Sequence, residues 1–179
     1  MNEIPEKSTG AVLITGLVFL VVLTLLGLSA MQSTILEQRM AGNSLDSNIA
    51  FQAAEAALRT GEGVIAGWST EPTPDGAGSN GVWSLNAPDP HPGDSVNWWD
   101  DSARDEAWWS DNAQSASSLS GVSSAPRYLI EERDFVADNL NVGNQNSETG
   151  RVFYRVTAGG KGRSSTSRVV LQSTYARRY

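Results

Sequence analysis

From Ala11 to Met31 the chain reads AVLITGLVFLVVLTLLGLSAM, 21 residues without a charge. As a helix rising about 1.5 Å per residue this run reaches roughly 30 Å, the thickness of a bilayer's hydrocarbon core, so it is predicted to span a membrane. Beyond it the apolar positions space out. Leu36 and Met40 are four apart, and Phe51, Ala54 and Leu58 recur at three and four, the pattern of one stripe on an amphipathic helix. The lower half of the helix is therefore expected to lie against a sheet, and alanines at 50, 53, 54, 56 and 57 permit close approach of another backbone. Gly42 costs a helix roughly 1 kcal/mol relative to alanine, and Asn43 or Ser44 offers a cap for a fresh one, which predicts a kink or loosened turn at 42–44. Gly61 and Gly63 read as stops. The expected division is a helix over 11–61, membrane-spanning over 11–31, and a globular head over 62–179.

From Trp68 to about Ala125 no period is sustained. Residues 71–81 are turn formers throughout, and 87–93 hold three prolines, so long loops are expected. Within them lies a near-repeat, Trp98-Trp99-Asp100-Asp101 and Trp108-Trp109-Ser110-Asp111. A short helix from about Asp100 to Ser110 would bring both tryptophan pairs to one side. The last third regains a strand pattern, β-branched and aromatic, over Arg127–Glu132 with Phe135–Val136, over Arg151–Ala158, and over Ser167–Tyr175. Three such strands in succession predict an antiparallel meander, and with the helix an α+β fold. Gly159–Ser165 is predicted to be the flexible connection of a hairpin; it lacks the spacing of a phosphate loop.

Composition narrows the chemistry. No cysteine is present, which removes disulfides, thiolate metal sites and cysteine nucleophiles. There is no nucleophile elbow, zinc motif or nucleotide loop, so no enzyme is expected. The single histidine, His91, sits among prolines and reads as a surface loop residue. Asp94, Asp100, Asp101, Asp105, Glu106 and Asp111 supply oxygen ligands of the kind calcium prefers; without EF-hand spacing the default is a solvated acidic face and no cofactor, with calcium at Asp100, Asp101 and Asp105 as the alternative. Trp98, Trp99, Trp108 and Trp109 are either a partner or ligand surface, since aromatics are enriched at hot spots, or the filling of a core that a loop-rich head otherwise lacks. The net charge of −7 gives no reason to expect nucleic-acid binding. Charge is segregated, however: residues 60–150 hold 15 acidic and 3 basic side chains, and 151–179 hold seven basic ones and no acid. Such a split can act within one head or between successive heads, setting partner choice more than raw affinity. A basic edge touching DNA or lipid headgroups is a minority reading.

The ten residues ahead of the apolar run, Met1 to Gly10, close on a glycine. A secretory signal would be discarded after a small-residue site, for which Ser29-Ala30 is available, and a plain signal anchor is the other simple alternative. The arrangement instead resembles a type IV prepilin. Thr24–Met31, Leu36–Asn43 and Ala50–Arg59 are similar to the amino-terminal signature of PilX-type minor pilins, and Tyr154–Gly160 and Val169–Tyr175 resemble the far end of that family.

The resemblance implies a pilin-like fold, a long amino-terminal helix packed on a small antiparallel sheet with a long irregular insertion. It also implies cleavage after Gly10 by prepilin peptidase and methylation of the new amino terminus at Ala11. The subunit would then pass from the inner membrane, amino terminus inside, into a pilus on the cell surface. Implied partners are other minor and major pilins, the peptidase and the inner-membrane assembly platform. One departure matters. Most pilins carry glutamate at the fifth residue after the cut, and here that residue is Thr15, a feature shared with GspK-type pseudopilins of type II secretion. A subunit that begins a filament has no earlier neighbour for such a glutamate to engage. The expected function is therefore a minor pilin at or near the tip that starts assembly, with adhesion or twitching motility as consequences. A tip adhesin using the tryptophan-rich insertion and a secretion pseudopilin are the alternatives.

Overall fold

The computed structural model describes residues 9–117, 119–138 and 149–179. Its elements are a helix α1 (Thr9–Gly67), a single 3₁₀ turn (Trp98–Asp100), a short helix α2 (Glu106–Asn112), and four strands. These are β1 (Gln114–Ser115), β2 (Arg127–Ala137), β3 (Gly150–Lys161) and β4 (Arg168–Arg178). The chain divides into two compact units, Met1–Ser44 and Leu45–Tyr179.

In the first unit the described residues are all helical, and Gly10–Ser44 are exposed. Large apolar side chains line it on every side, from Val12 at 73% exposure to Val21 at 46%. The run is apolar and long enough to cross a membrane. Its threonines cost such an environment little, because each hydroxyl is bonded back onto the helix. Thr15 Oγ1 donates to Ala11 O at 2.6 Å, Thr24 Oγ1 to Val21 O at 2.7 Å, and Thr34 Oγ1 to Ala30 O at 3.2 Å.

In the second unit the remainder of α1 packs on the sheet through residues chosen for smallness. Ala50, Ala53, Ala54 and Ala57 are wholly buried, as is Ile65 in the last turn of the helix. Opposite them lie Tyr128 and Ile130 of β2 and Tyr154, Val156 and Ala158 of β3. At the closest approach Gly160 of β3 has no room for a side chain: a Cβ there would lie 2.6 Å from Ala50 O and 2.8 Å from Ala53 C. Two further contacts fix the helix. Asp46 accepts hydrogen bonds from the amides of Arg163 and Ser164 and from the Ser164 hydroxyl, pinning the β3–β4 turn to α1. At the other end the Arg177 guanidinium donates to the carbonyls of Ile65, Ala66 and Trp68, where the helix dipole favours a cation and last-turn acceptors lack partners.

The sheet is antiparallel in the order β1-β2-β3-β4. Register between β2 and β3 shifts at Glu132/Asp134, whereas β3 and β4 pair without interruption from Arg151↔Arg178 to Lys161↔Arg168. The α+β meander is as predicted, with several boundaries corrected. Helix α1 is unbroken through Gly42–Ser44; a single glycine's penalty is small beside the turns on either side of it. It also runs past Gly61 and Gly63 to Gly67, because Gly61 is a contact residue: a Cβ there would meet Val156 at 2.8 Å and Tyr128 at 2.9 Å. For the same reason Gly159 and Gly160 belong to β3, leaving the turn to residues 162–167.

Candidate functional site

Gly10, Ala11 and Thr15 lie on exposed turns at the start of α1, while residues 1–8 fall outside the described residues. Thr15 makes two bonds, both to its own helix, to Ala11 O and to Val12 O at 3.1 Å. Its hydroxyl is thereby satisfied without a neighbour, and it brings no charge.

The tryptophans of the insertion gather over the face of the sheet opposite α1. Trp98 is 4% exposed and Trp109 is 5% exposed, stacked with ring centroids 5.7 Å apart, and both join Trp83 and Leu129 in one buried cluster. Trp109 rests on Gly159 at 3.5 Å from where a Cβ would be. Trp99 and Trp108 pack on this cluster from outside and are half-buried, and Arg104 lies over the Trp108 ring at 4.4 Å. The expected single helix over 100–110 does not form. Residues 101–105 turn between the 3₁₀ segment and α2, and the Asp105 carboxylate caps α2 by accepting from Trp108 N at 2.9 Å. The two pairs meet through tertiary packing, not through helical spacing. The Nε1 atoms of Trp98 and Trp109 are buried with no partner among the described residues, a cost of about 1–3 kcal/mol each set against burial of several large rings.

The acidic residues separate by role. Asp105 is a cap, Glu106 takes a salt bridge from Lys161 at 2.6 Å that lowers its pKa, and Asp100 is exposed. Asp101 accepts from Ala103 N and faces His91 Nδ1 at 2.9 Å. The alternative calcium trio Asp100, Asp101 and Asp105 is not brought together as a cluster among the described residues. His91, Asp94 and Asp101 instead present three potential ligand atoms within 4.8 Å of one another. Hydrogen bonding and the negative charge of Asp101 raise the His91 pKa, which favours the protonated ring over one with a free lone pair.

Part of the segregated charge is spent inside the head, where, among the described residues, three of the seven basic side chains of 151–179 pair with acids of 60–150. Lys161 meets Glu106, Arg178 meets Asp138 at 2.8 Å, and Arg155 holds Glu131 through Nε–Oε2 at 2.9 Å and Nη2–Oε1 at 2.5 Å. Glu131 is fully buried, and its carboxylate also accepts from Asn86 N at 3.1 Å while Arg155 donates to Asn86 Oδ1 at 2.8 Å. A buried carboxylate needs such complete pairing. Asn86 adopts φ 58° to make it. This triad was missed in the sequence, whose only hint was the presence of unpaired charge on both halves. An open groove of about 400 Å³ adjoins it, lined by Asn86, Arg133, Arg155, Gln172 and Thr174. The cavity beside Trp109, bordered by Lys161 and Arg168, holds about 20 Å³, enough for a water and no larger ligand.

Residues 51–177 match the family described as Type IV pilus assembly protein PilX C-term, and residues 9–59 match the family described as PilX N-terminal. The chain belongs to the PilX family. No curated protein and no solved structure matches it. The two PilX matches together span the exposed apolar helix and the head, including the insertion on which the sequence resemblance was silent. As a PilX-family chain the protein is a structural component of a type IV pilus that associates with other pilins, and the long apolar helix α1 is consistent with membrane anchoring. The tryptophan cluster, the Glu131–Arg155–Asn86 triad and the Arg177 cap are the means by which this PilX head holds its shape without disulfides.

Proposed function

We propose that this PilX-family protein is a minor pilin that enters the inner membrane with its amino terminus inside and is cut by prepilin peptidase after Gly10. It is methylated at Ala11 and passes through the assembly platform to a position at or near the pilus tip, where it helps start assembly. Adhesion and twitching motility follow from the fibre it helps to begin. The observation that carries the reading is Thr15. Its hydroxyl closes on Ala11 O at 2.6 Å, so the helix needs no partner there, and it lacks the carboxylate that would pair with an earlier subunit's amino terminus in an apolar surrounding. A subunit free of that requirement suits the first position in a fibre.

Deletion of the gene is expected to lower the number of surface pili at least tenfold and to leave protein export intact. Loss of export with normal piliation would transfer the reading to a type II secretion pseudopilin, which shares the missing carboxylate. Thr15→Glu is expected to spread immunogold label for this protein from fibre ends to fibre shafts; label along the shafts of the unaltered protein would refute the tip position.

A further inference from the structure

The two edges of the sheet are treated differently. Along the first half of β2, Arg127–Glu132, the edge is closed: β1 pairs with Arg127 and Tyr128, Trp83 N donates to Ile130 O at 2.8 Å, and Glu132 N donates to Trp83 O at 2.9 Å. Just before the strand, Ala116 N bonds Pro126 O at 2.9 Å. Along β4 no backbone partner lies on the far side among the described residues. The strand is eleven residues long, pairs with β3 without a bulge, contains no proline, and has no buried residue. Val169, Val170, Leu171, Thr174 and Tyr175 give it strong strand character. Proteins that remain single usually blunt such an edge with prolines, bulges, short length or a covering segment. Here β2 has the cover and the bulge, and β4 has neither.

Charge selects the occupant. Arginines stand at both ends of β4, Arg168 at one and Arg177 and Arg178 at the other, and no acid occurs on β3 or β4. An antiparallel pairing of two copies centred on Ser173 would set Arg168 against Arg178, and a parallel in-register pairing would set every arginine against itself. Like charges directly opposite are destabilising, so both of these full-length pairings favour an acid-bearing strand over a second copy. Arg168 is held by Trp99 O at 3.0 Å, and Arg178, although paired with Asp138, keeps 66% of its side chain exposed. We propose that β4 receives an added strand from the head of a different pilin, an extended segment with Asp or Glu at its flanks. Main-chain hydrogen bonds would supply the affinity and the arginines the register. The inference rests on PilX-family membership and not on the tip position, and it holds wherever in the fibre the subunit sits.

The test replaces Thr174, exposed on β4, with a photo-crosslinking amino acid in the full chain, made in piliated cells, and maps the product by mass spectrometry. The expected product joins Thr174 to an acid-flanked, strand-forming segment of another pilin. Ala176→Glu in the same chain should lower that yield about tenfold, and Ala176→Lys should leave it within about twofold. Thermal melting of both variants in detergent should match the parent, separating loss of docking from loss of folding. Products containing only second copies of this chain would overturn the proposal, as would equal yields from the Glu and Lys variants. So would no product at Thr174 while the same crosslinker at Leu20 captures neighbouring helices.

Discussion

The two halves of helix α1 share one backbone conformation and almost nothing else. Residues 11–31 display large apolar side chains in all directions and leave them uncovered, whereas Leu45–Gly67 turns four alanines, Ala50, Ala53, Ala54 and Ala57, to a sheet and buries them completely. In the first half size makes the helix fit lipid and other apolar helices; in the second, smallness lets a β-strand come within van der Waals contact of the helix backbone. A hydrophobic residue therefore has opposite meanings along the same rod. Leu20 and Phe19 are valuable because no described residue covers them, and Ala54 is valuable because Gly160 does.

Perturbing one half should leave the other intact. The largest effect is expected from Leu20→Arg, since an arginine at the centre of a spanning helix costs about 2.5–3.5 kcal/mol on insertion scales. The variant should shift from the membrane fraction to the soluble or degraded pool, while any protein recovered melts at the parent temperature. Gly160→Ala is the reciprocal test. Its Cβ meets the α1 backbone at Ala50, Ala53 and Ala54, none of which can step aside, and overpacking of this kind costs about 1–3 kcal/mol. Circular dichroism in detergent should report a lower melting temperature with membrane association unchanged. A Gly160→Ala protein that melts normally would mean that the small-residue contact does not hold the head together.

The smallest effect sharpens the picture of the helix-facing side of the sheet. Glu132 lies there beside Tyr154, and burial, with added repulsion from Glu71, raises its pKa above the ordinary carboxylate value. A carboxyl whose folded pKa is raised binds its proton more tightly in the folded state, so its contribution to stability falls as pH climbs from the unfolded pKa through the folded one. Glu132→Gln is therefore expected to raise the melting temperature at pH 7 and to leave it nearly unchanged at pH 3, as read by parallel melts. A drop at pH 7 would mean that the ionised carboxylate has a partner.

The sequence revealed what repeats locally. The uncharged run and the three strands follow from periodicity and emerged close to where they were expected; of the stripe, Ala54 is buried and Leu58 half-buried against the sheet, but Phe51 is 47% exposed, because the buried face runs through Ala50, Ala53, Ala54, Ala57 and Ile65. Gly61 and Gly160 read as breakers because glycine usually is one; only their contacts across the helix–sheet interface turn them into packing residues. The four paired tryptophans were conspicuous, yet their meeting depends on the turn at 101–105 and on Trp83 and Leu129, which no spacing connects. Glu131 and Glu132 adjoin in sequence and look equally polar. Strand alternation sends the first to Arg155, 24 residues away, and the second toward α1, so one is a buried anchor and the other a mild liability.

A place in a fibre requires above all that the uncovered half of α1 survive maturation. Intact mass and amino-terminal sequence of the protein purified from cells with active prepilin peptidase decide this directly. The expected chain begins at Ala11, is methylated there, and retains residues 11–31. A chain beginning beyond Ala30, or one still carrying Met1 in those cells, would contradict it.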